Sequence, residues 1–212
     1  MTQTVHVVDD DASFRTAVER RLKKAGYAVA TYVSAQQLLD HLPDEDQPGC
    51  ILLDVRIPDL SGPELQDRLG EAGSTLPIVF LTGYGDVPTS VRAIKAGAED
   101  FLTKPVSSEQ LLRAVEQAIA HHEVSRGVRR KLDAFRELLA TLTPRERQVF
   151  ERVVQGKINK QIAHQLGATE RTIKAHRHRV MEKMKVQSLA ELVSIAERLG
   201  ILVTASVDNR NS

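Results

Sequence analysis

Five short apolar runs alternate with helix-period segments over the first 120 residues, and a polar residue follows four of them. Val5–Val8, Ala28–Tyr32, Cys50–Leu53, Ile78–Leu81 and Asp100–Leu102 have the length and texture of buried strands. Between them lie amphipathic segments. Ser13–Ala25 carries Phe14, Val18 and Leu22 four apart, with Ser13 near its cap and Gly26 past its end. Ser34 opens a second helix carrying Leu38, Leu39 and Leu42, stopped by Pro43. Glu64–Ala72 and Val87–Ala96 follow, and Ser107 and Glu109 open a long one. Five βα units in sequence demand a mostly parallel sheet with helices on both faces, and the flavodoxin-like strand order 2-1-3-4-5 is expected.

That topology decides where chemistry can sit. Ligands bind outside the carboxyl ends of parallel strands. Asp9 and Asp10 follow the first run, Asp54 the third and Thr82 the fourth, with Lys104 just beyond the fifth. Order 2-1-3 brings the first pair beside Asp54. Two unit charges ~4 Å apart interact by about 4 kcal/mol at an effective dielectric of ~20, so clustered carboxylates call for a cation. A hard ion such as Mg²⁺ takes oxygen ligands, and Asp9, Asp10 and Asp54 offer them, with the Arg56 backbone carbonyl close by. The Asp54 carboxylate can attack phosphorus to give an acyl phosphate. Lys104 would pair with the added phosphoryl oxygens, and Thr82 would donate a hydroxyl to one of them. Lys104-Pro105 invites a cis peptide that aims Lys104 inward. Asp11 by itself reads as a solvated loop residue.

The net charge of +1 hides a division. Residues 1–120 carry 18 Asp/Glu against 11 Lys/Arg, net −7, whereas residues 121–212 carry 10 against 18, net +8. An acidic half joined to a basic half suggests two domains, the second with a polyanionic partner. Cys50, the single cysteine, excludes an internal disulfide, fits a reducing compartment and reads as a small core residue. No apolar run reaches the 18 residues of a membrane span, and the N-terminus lacks a signal-peptide pattern, so a cytoplasmic location is expected.

The basic half is helical throughout in pattern. His121–Arg136 is a polar, basic helical linker, broken near Gly127. Thr143-Pro144-Arg145-Glu146 is a capping box ahead of Val149, Phe150, Val153 and Val154. Asn159 opens a helix with Ile162 and Leu166 inward, ended by Gly167. Thr169 caps another, with Ile173, Val180 and Met184 inward. Ser188–Glu191 is a further capping box, before Leu192, Ile195, Ala196 and Leu199. The Gly167-Ala168 turn joins two helices in a way that lets the second enter a major groove. Its outer face offers Arg171, Lys174, Arg177, His178 and Arg179. Lys174 and His178 are expected near base edges, and Arg171, Arg177, Lys157 and Lys160 on the phosphate backbone. Neutralising about 4 phosphates gives a salt slope of about −4. His176 reads as packing or capping. His121-His122-Glu123 lacks a second histidine at metal spacing, so no zinc site is expected. Leu189, Leu192, Val193 and Ala196 form a candidate pairing surface.

Val7-Val8-Asp9-Asp10, Leu52-Leu53-Asp54-Val55-Arg56-Ile57-Pro58, Leu81-Thr82-Gly83 and Lys104-Pro105 resemble the receiver domain of two-component response regulators. Thr141–Glu146, Gly156–Ala163 and Thr172–His176 resemble the LuxR-type helix-turn-helix, here Asn159 to His178. Together they are similar to the NarL/FixJ family, and Gly85-Asp86-Val87-Pro88 with Lys95-Ala96-Gly97-Ala98 looks closest to its FixJ branch. The resemblance implies a flavodoxin-like receiver over residues 1–120, a linker over 121–137, an all-α four-helix DNA-binding domain over 138–202 and a tail over 203–212. It implies phosphorylation of Asp54 by a sensor histidine kinase, Mg²⁺ on Asp9 and Asp10, and Phe101 as an aromatic switch. It further implies a homodimer on phosphorylation, a shifted face of Val91, Ile94, Lys95 and Phe101, double-stranded DNA and RNA polymerase as partners, and no enzymatic turnover. Ile158 departs from the small polar residue usual in that family. Arg56 and Tyr84, bulky beside the acceptor, imply an acyl phosphate that outlives seconds. Two other readings stay open: a constitutive DNA-binding regulator with a structural receiver, and a small acyl-phosphate phosphotransfer enzyme. Arg56, standing where a haloacid-dehalogenase phosphatase needs a second aspartate, disfavours the latter.

Overall fold

The structure is a computed structural model that describes residues 3–58, 60–83 and 94–202. Two compact units divide the chain, Met1–Arg126 and Gly127–Ser212.

The first unit is built on five parallel strands: β1 (Thr4–Val8), β2 (Ala28–Tyr32), β3 (Gly49–Asp54), β4 (Ile78–Thr82) and β5 (Asp100–Thr103). Their order is β2-β1-β3-β4-β5, as the alternation predicts. Val5, Val7, Cys50, Leu52, Val79 and Leu81 pack on one face with Val18 and Leu22 of helix α1 (Ala12–Lys24). Val8, Ile51, Leu53, Ile78 and Phe80 pack on the other, with Leu38 of α2 (Ala35–Asp40) and Leu65 and Leu69 of α3 (Gly62–Glu71). Burial on both faces explains why the inner strands β3 and β4 read as unbroken apolar runs. Cys50 is fully buried, its thiol pushed up to about 12 by that burial, as befits a core residue.

Local departures from the sequence reading have physical causes. Asp11, not Ser13, caps α1, and its carboxylate accepts from the Ser13 and Phe14 amides at 2.8 and 3.1 Å. Helix α2 stops at Asp40, and Leu42 is half exposed. Leu42 precedes Pro43, which disfavours helical backbone at the residue before it. Strand β3 starts one residue early, at Gly49, where a Cβ would stand 2.5 Å from the Thr4 carbonyl oxygen. The expected break near Gly127 is absent, because α4 runs unbroken from Ser108 to Ala140. A mid-helix glycine costs only about 1 kcal/mol, which the strong helix formers around it offset. The expected Val87–Ala96 helix lies mostly outside the described residues, and its last part, Ile94 and Lys95, is helical. Tyr84, Gly85–Pro88, Val91 and the tail lie outside them altogether.

The second unit is helical. After the end of α4 come α5 (Pro144–Val154), α6 (Asn159–Leu166), α7 (Glu170–Lys183) and α8 (Leu189–Arg198). Val149, Phe150, Ile162, Ile173, Val180 and Met184 make its core. The capping box holds: Thr143 Oγ1 accepts from the Glu146 amide and Glu146 Oε2 from the Thr143 amide at 2.9 Å. Gly167 ends α6 in the left-handed region at φ 58°, which turns the chain sharply into α7. Leu192 and Ala196 are fully buried in this core, so they do not form the expected pairing surface; only Leu189 stands out, 41% exposed. The apolar stripe of α8 is spent on its own unit's core. Among the described residues no helix is long and apolar enough to cross a membrane.

Candidate phosphoryl site and nucleic-acid interface

Four of the five strands, all but β2, carry polar residues to the same edge of the sheet. Asp9 leaves β1 fully buried, Asp54 ends β3 at 9% exposure, and Thr82 ends β4 at 2%. Asp10 is exposed at the rim. One oxygen from each of Asp9, Asp10 and Asp54 can be chosen so that all three lie within 4.8 Å of one another. Lys104 directly follows β5 and precedes a cis Lys104-Pro105 peptide, and its amide donates to the Thr82 carbonyl at 2.6 Å. Its ammonium donates to Asp9 Oδ2 at 2.5 Å and to Asp54 Oδ2 at 2.6 Å. Residues 95 positions apart thus meet as an ion pair.

The electrostatics follow from burial. Desolvation pushes the Asp9 carboxyl above its ordinary range, against the pull of Lys104. Burial works to lower Lys104, but its bonds to Asp54 and Asp9 outweigh that and hold the ammonium above the usual lysine value. The outer oxygens are held by backbone: the Asp11 amide donates to Asp9 Oδ1 at 3.0 Å and the Arg56 amide to Asp54 Oδ1 at 3.2 Å. An all-oxygen donor set with one retained cation suits a hard divalent ion and a phosphoryl group. Phe101 is half-buried, its ring centroid 6.0 Å from that of Phe80.

Sequence reasoning missed three contributors. Arg15 Nη1 donates to the Asp9 carbonyl at 2.5 Å, and Phe14 places its ring beside Lys104. Gly62 backs Asp54: a Cβ there would stand 2.8 Å from both the Asp54 carbonyl oxygen and the Phe80 ring. The sequence singled out only Phe14, and only as the first member of an apolar stripe.

In the second unit, Lys157, Lys160, Arg171, Lys174 and His178 are exposed. Arg177 is half-buried and donates to Asn159 Oδ1 at 3.0 Å, which ties α7 to the start of α6. Lys157, Lys160, Lys174 and Arg177 line one groove together with Ile158, Glu170 and Leu189; Arg171 and His178 stand outside it. His176 is half-buried within the helical packing.

Comparison with known proteins agrees with this division. Residues 5–116 match the response regulator receiver domain, and residues 140–196 match the bacterial regulatory proteins of the luxR family. The chain is 40% identical to the response regulator protein TodT of Pseudomonas putida over 195 residues, 92% of this chain and 86% of that one. It is 41% identical to the transcriptional regulatory protein FixJ of Bradyrhizobium diazoefficiens over 198 residues, 93% and 96% of the two chains. The chain belongs to the two-component response regulators with a LuxR-type DNA-binding domain. FixJ proteins among the relatives agree with the FixJ-branch resemblance of the sequence. A solved structure of the response regulator StyR matches this regulator with a TM-score of 0.81 at 44% identity, covering 93% of this chain and all of that one. The relatives are transcriptional response regulators, so the regulator's receiver implies a sensor-kinase partner and its second domain implies DNA.

Proposed function

We propose that Asp54 is the phosphoacceptor and that its phosphorylation switches dimerisation and DNA binding. The single observation that carries this is the Lys104 ammonium bonded at once to Asp9 and Asp54. A carboxylate buried with no cation would be protonated or displaced; here both Asp9 and Asp54 have a movable ammonium within hydrogen-bond distance. An Asp54 oxygen bonds to phosphorus as the bond from phosphorus to the donor breaks. Lys104 then turns to the new phosphoryl oxygens, and the Thr82 hydroxyl donates to another. Asp9, Asp10, Asp54 and the Arg56 carbonyl would hold Mg²⁺, which supplies positive charge against the crowded oxygens. Phe101 follows Thr82 inward, and the face bearing Ile94 and Lys95 then pairs with a second copy. Moving such an equilibrium from 1:99 to 99:1 takes about 5.5 kcal/mol, within reach of a few charge-assisted hydrogen bonds.

On DNA, Lys157, Lys160, Arg171 and Arg177 take the backbone, and Lys174 and His178 reach base edges from α7. RNA polymerase is the downstream partner of such a regulator, and the cytoplasm its compartment. Mg²⁺-dependent labelling by acetyl phosphate tests the acceptor. The Asp54→Ala variant should take no label and show no phosphate-dependent gain in DNA affinity. An unchanged response would reject the proposal.

A further inference from the structure

The first turn of α1 lies against the acidic pocket. Its cap, Asp11, hydrogen-bonds Asp9 through the Asp11 amide, and Arg15 grips the Asp9 carbonyl. Between them stands Phe14, whose ring centroid lies 4.1 Å from Lys104 Nζ. The ring also packs against the core that holds Val18 and Leu22, so it sits on an anchored element. An ammonium has three donors. Asp9 and Asp54 take two of them, and the Lys104 side chain is only 17% exposed.

We infer that Phe14 is a positioning residue for phosphoryl transfer: its ring face holds the Lys104 ammonium in the pocket while that ammonium exchanges carboxylate oxygens for phosphoryl oxygens. The inference rests on the reading of Asp54 as phosphoacceptor. Lys104 has to release one set of acceptors and reach another without leaving the site. A carboxylate or hydroxyl at position 14 would be a third directional acceptor and would compete with the phosphoryl group. An aromatic face attracts a cation through its quadrupole within about 6 Å and offers no lone pair. The charge can therefore pivot over the ring as its hydrogen bonds change. Lys104 keeps its proton throughout, and no bond at Phe14 is made or broken.

The test separates charge attraction from packing. Phe14 is replaced in the full chain by mono-, di- and trifluorinated phenylalanine, which keep the ring's shape while draining its negative face. Mg²⁺-dependent labelling by acetyl phosphate should slow stepwise, by about three- to tenfold across the series, with Phe14→Leu at the slow end. A second readout needs neither Mg²⁺ nor phosphodonor. In protein with ¹³C-labelled lysine, the Lys104 Cε protons, assigned by their loss in Lys104→Arg, should be shifted upfield by the ring and return to the usual lysine position in Phe14→Leu. A rate that stays flat across the fluorine series overturns the inference, as does an unshifted Lys104 signal in the unsubstituted protein. Labelling of Asp54→Ala at the normal rate would instead overturn the acceptor reading itself, so the two failures are distinguishable.

Discussion

The acidic pocket and the basic groove solve different physical problems. The pocket gathers charges from positions as distant as 9 and 104, buries Asp9 and Asp54, and sets a single internal ammonium between them. The groove draws Lys157, Lys160, Lys174 and Arg177 from two consecutive helices and the turn before the first, and leaves all but Arg177 exposed. The first depends on the whole sheet closing in register. The second needs only one turn between two helices and a surface kept positive. Geometry is the scarce quantity in one region and charge in the other.

The strongest way to break that comparison is to damage one core and look for harm in the other unit. Phe150 is fully buried in the helical core, so Phe150→Ala should cost about 3–5 kcal/mol there. DNA binding should collapse while acetyl phosphate labelling persists. Parallel loss of both activities would show that the units do not fold separately.

Next in size is the groove. Replacing Lys157 and Lys160 together by Ala should weaken DNA binding about tenfold at moderate salt and reduce the slope of log affinity against log salt by about 2, whatever the sequence bound. Phosphorylation should not change. A slope that stays put would move the phosphate contacts elsewhere on the unit.

Acid sharpens the contrast further. Lys183, 2.6 Å from Glu146, together with the Thr143 amide, holds that carboxyl down at about 2. A carboxyl lowered in the folded state stabilises above its unfolded value near 4.5, and that contribution is lost as pH falls toward 2. Glu146→Gln should therefore cost about 1–2 kcal/mol at neutral pH and flatten the loss over that window, as followed by urea melts of the helical signal. A counterpart belongs to the sheet. Burial pushes His6 down to about 4, with Glu45 opposing. The unfolded chain takes up the proton first, so the first unit loses stability as pH falls from 6.5 toward 4, a window that opens before that of Glu146. His6→Gln should remove that early slope and leave the later one.

Much of this was legible in the sequence because strand ends are legible. Asp9, Asp54 and Thr82 each close an apolar run, and a parallel sheet leaves such residues one place to meet. The same logic failed for Phe14. It repeats with Val18 and Leu22 at helical spacing, and nothing in that spacing shows that the stripe's first member faces a lysine 90 positions on. Leu192 and Ala196 failed for a related reason: an apolar stripe looks the same whether it packs into its own core or onto a partner. Gly127 misled because glycine's helical penalty is small beside the propensity of its neighbours.

Gly62 carries a consequence for how this receiver tolerates change. The start of α3 leans so closely on the Asp54 carbonyl and the Phe80 ring that even one methyl group would wedge the helix away from the sheet. Its wall would shift, and with it the nucleophile's aim. In a saturation library selected for signalling, position 62 should stand out as a silent column, emptied by want of space although it touches no reactant.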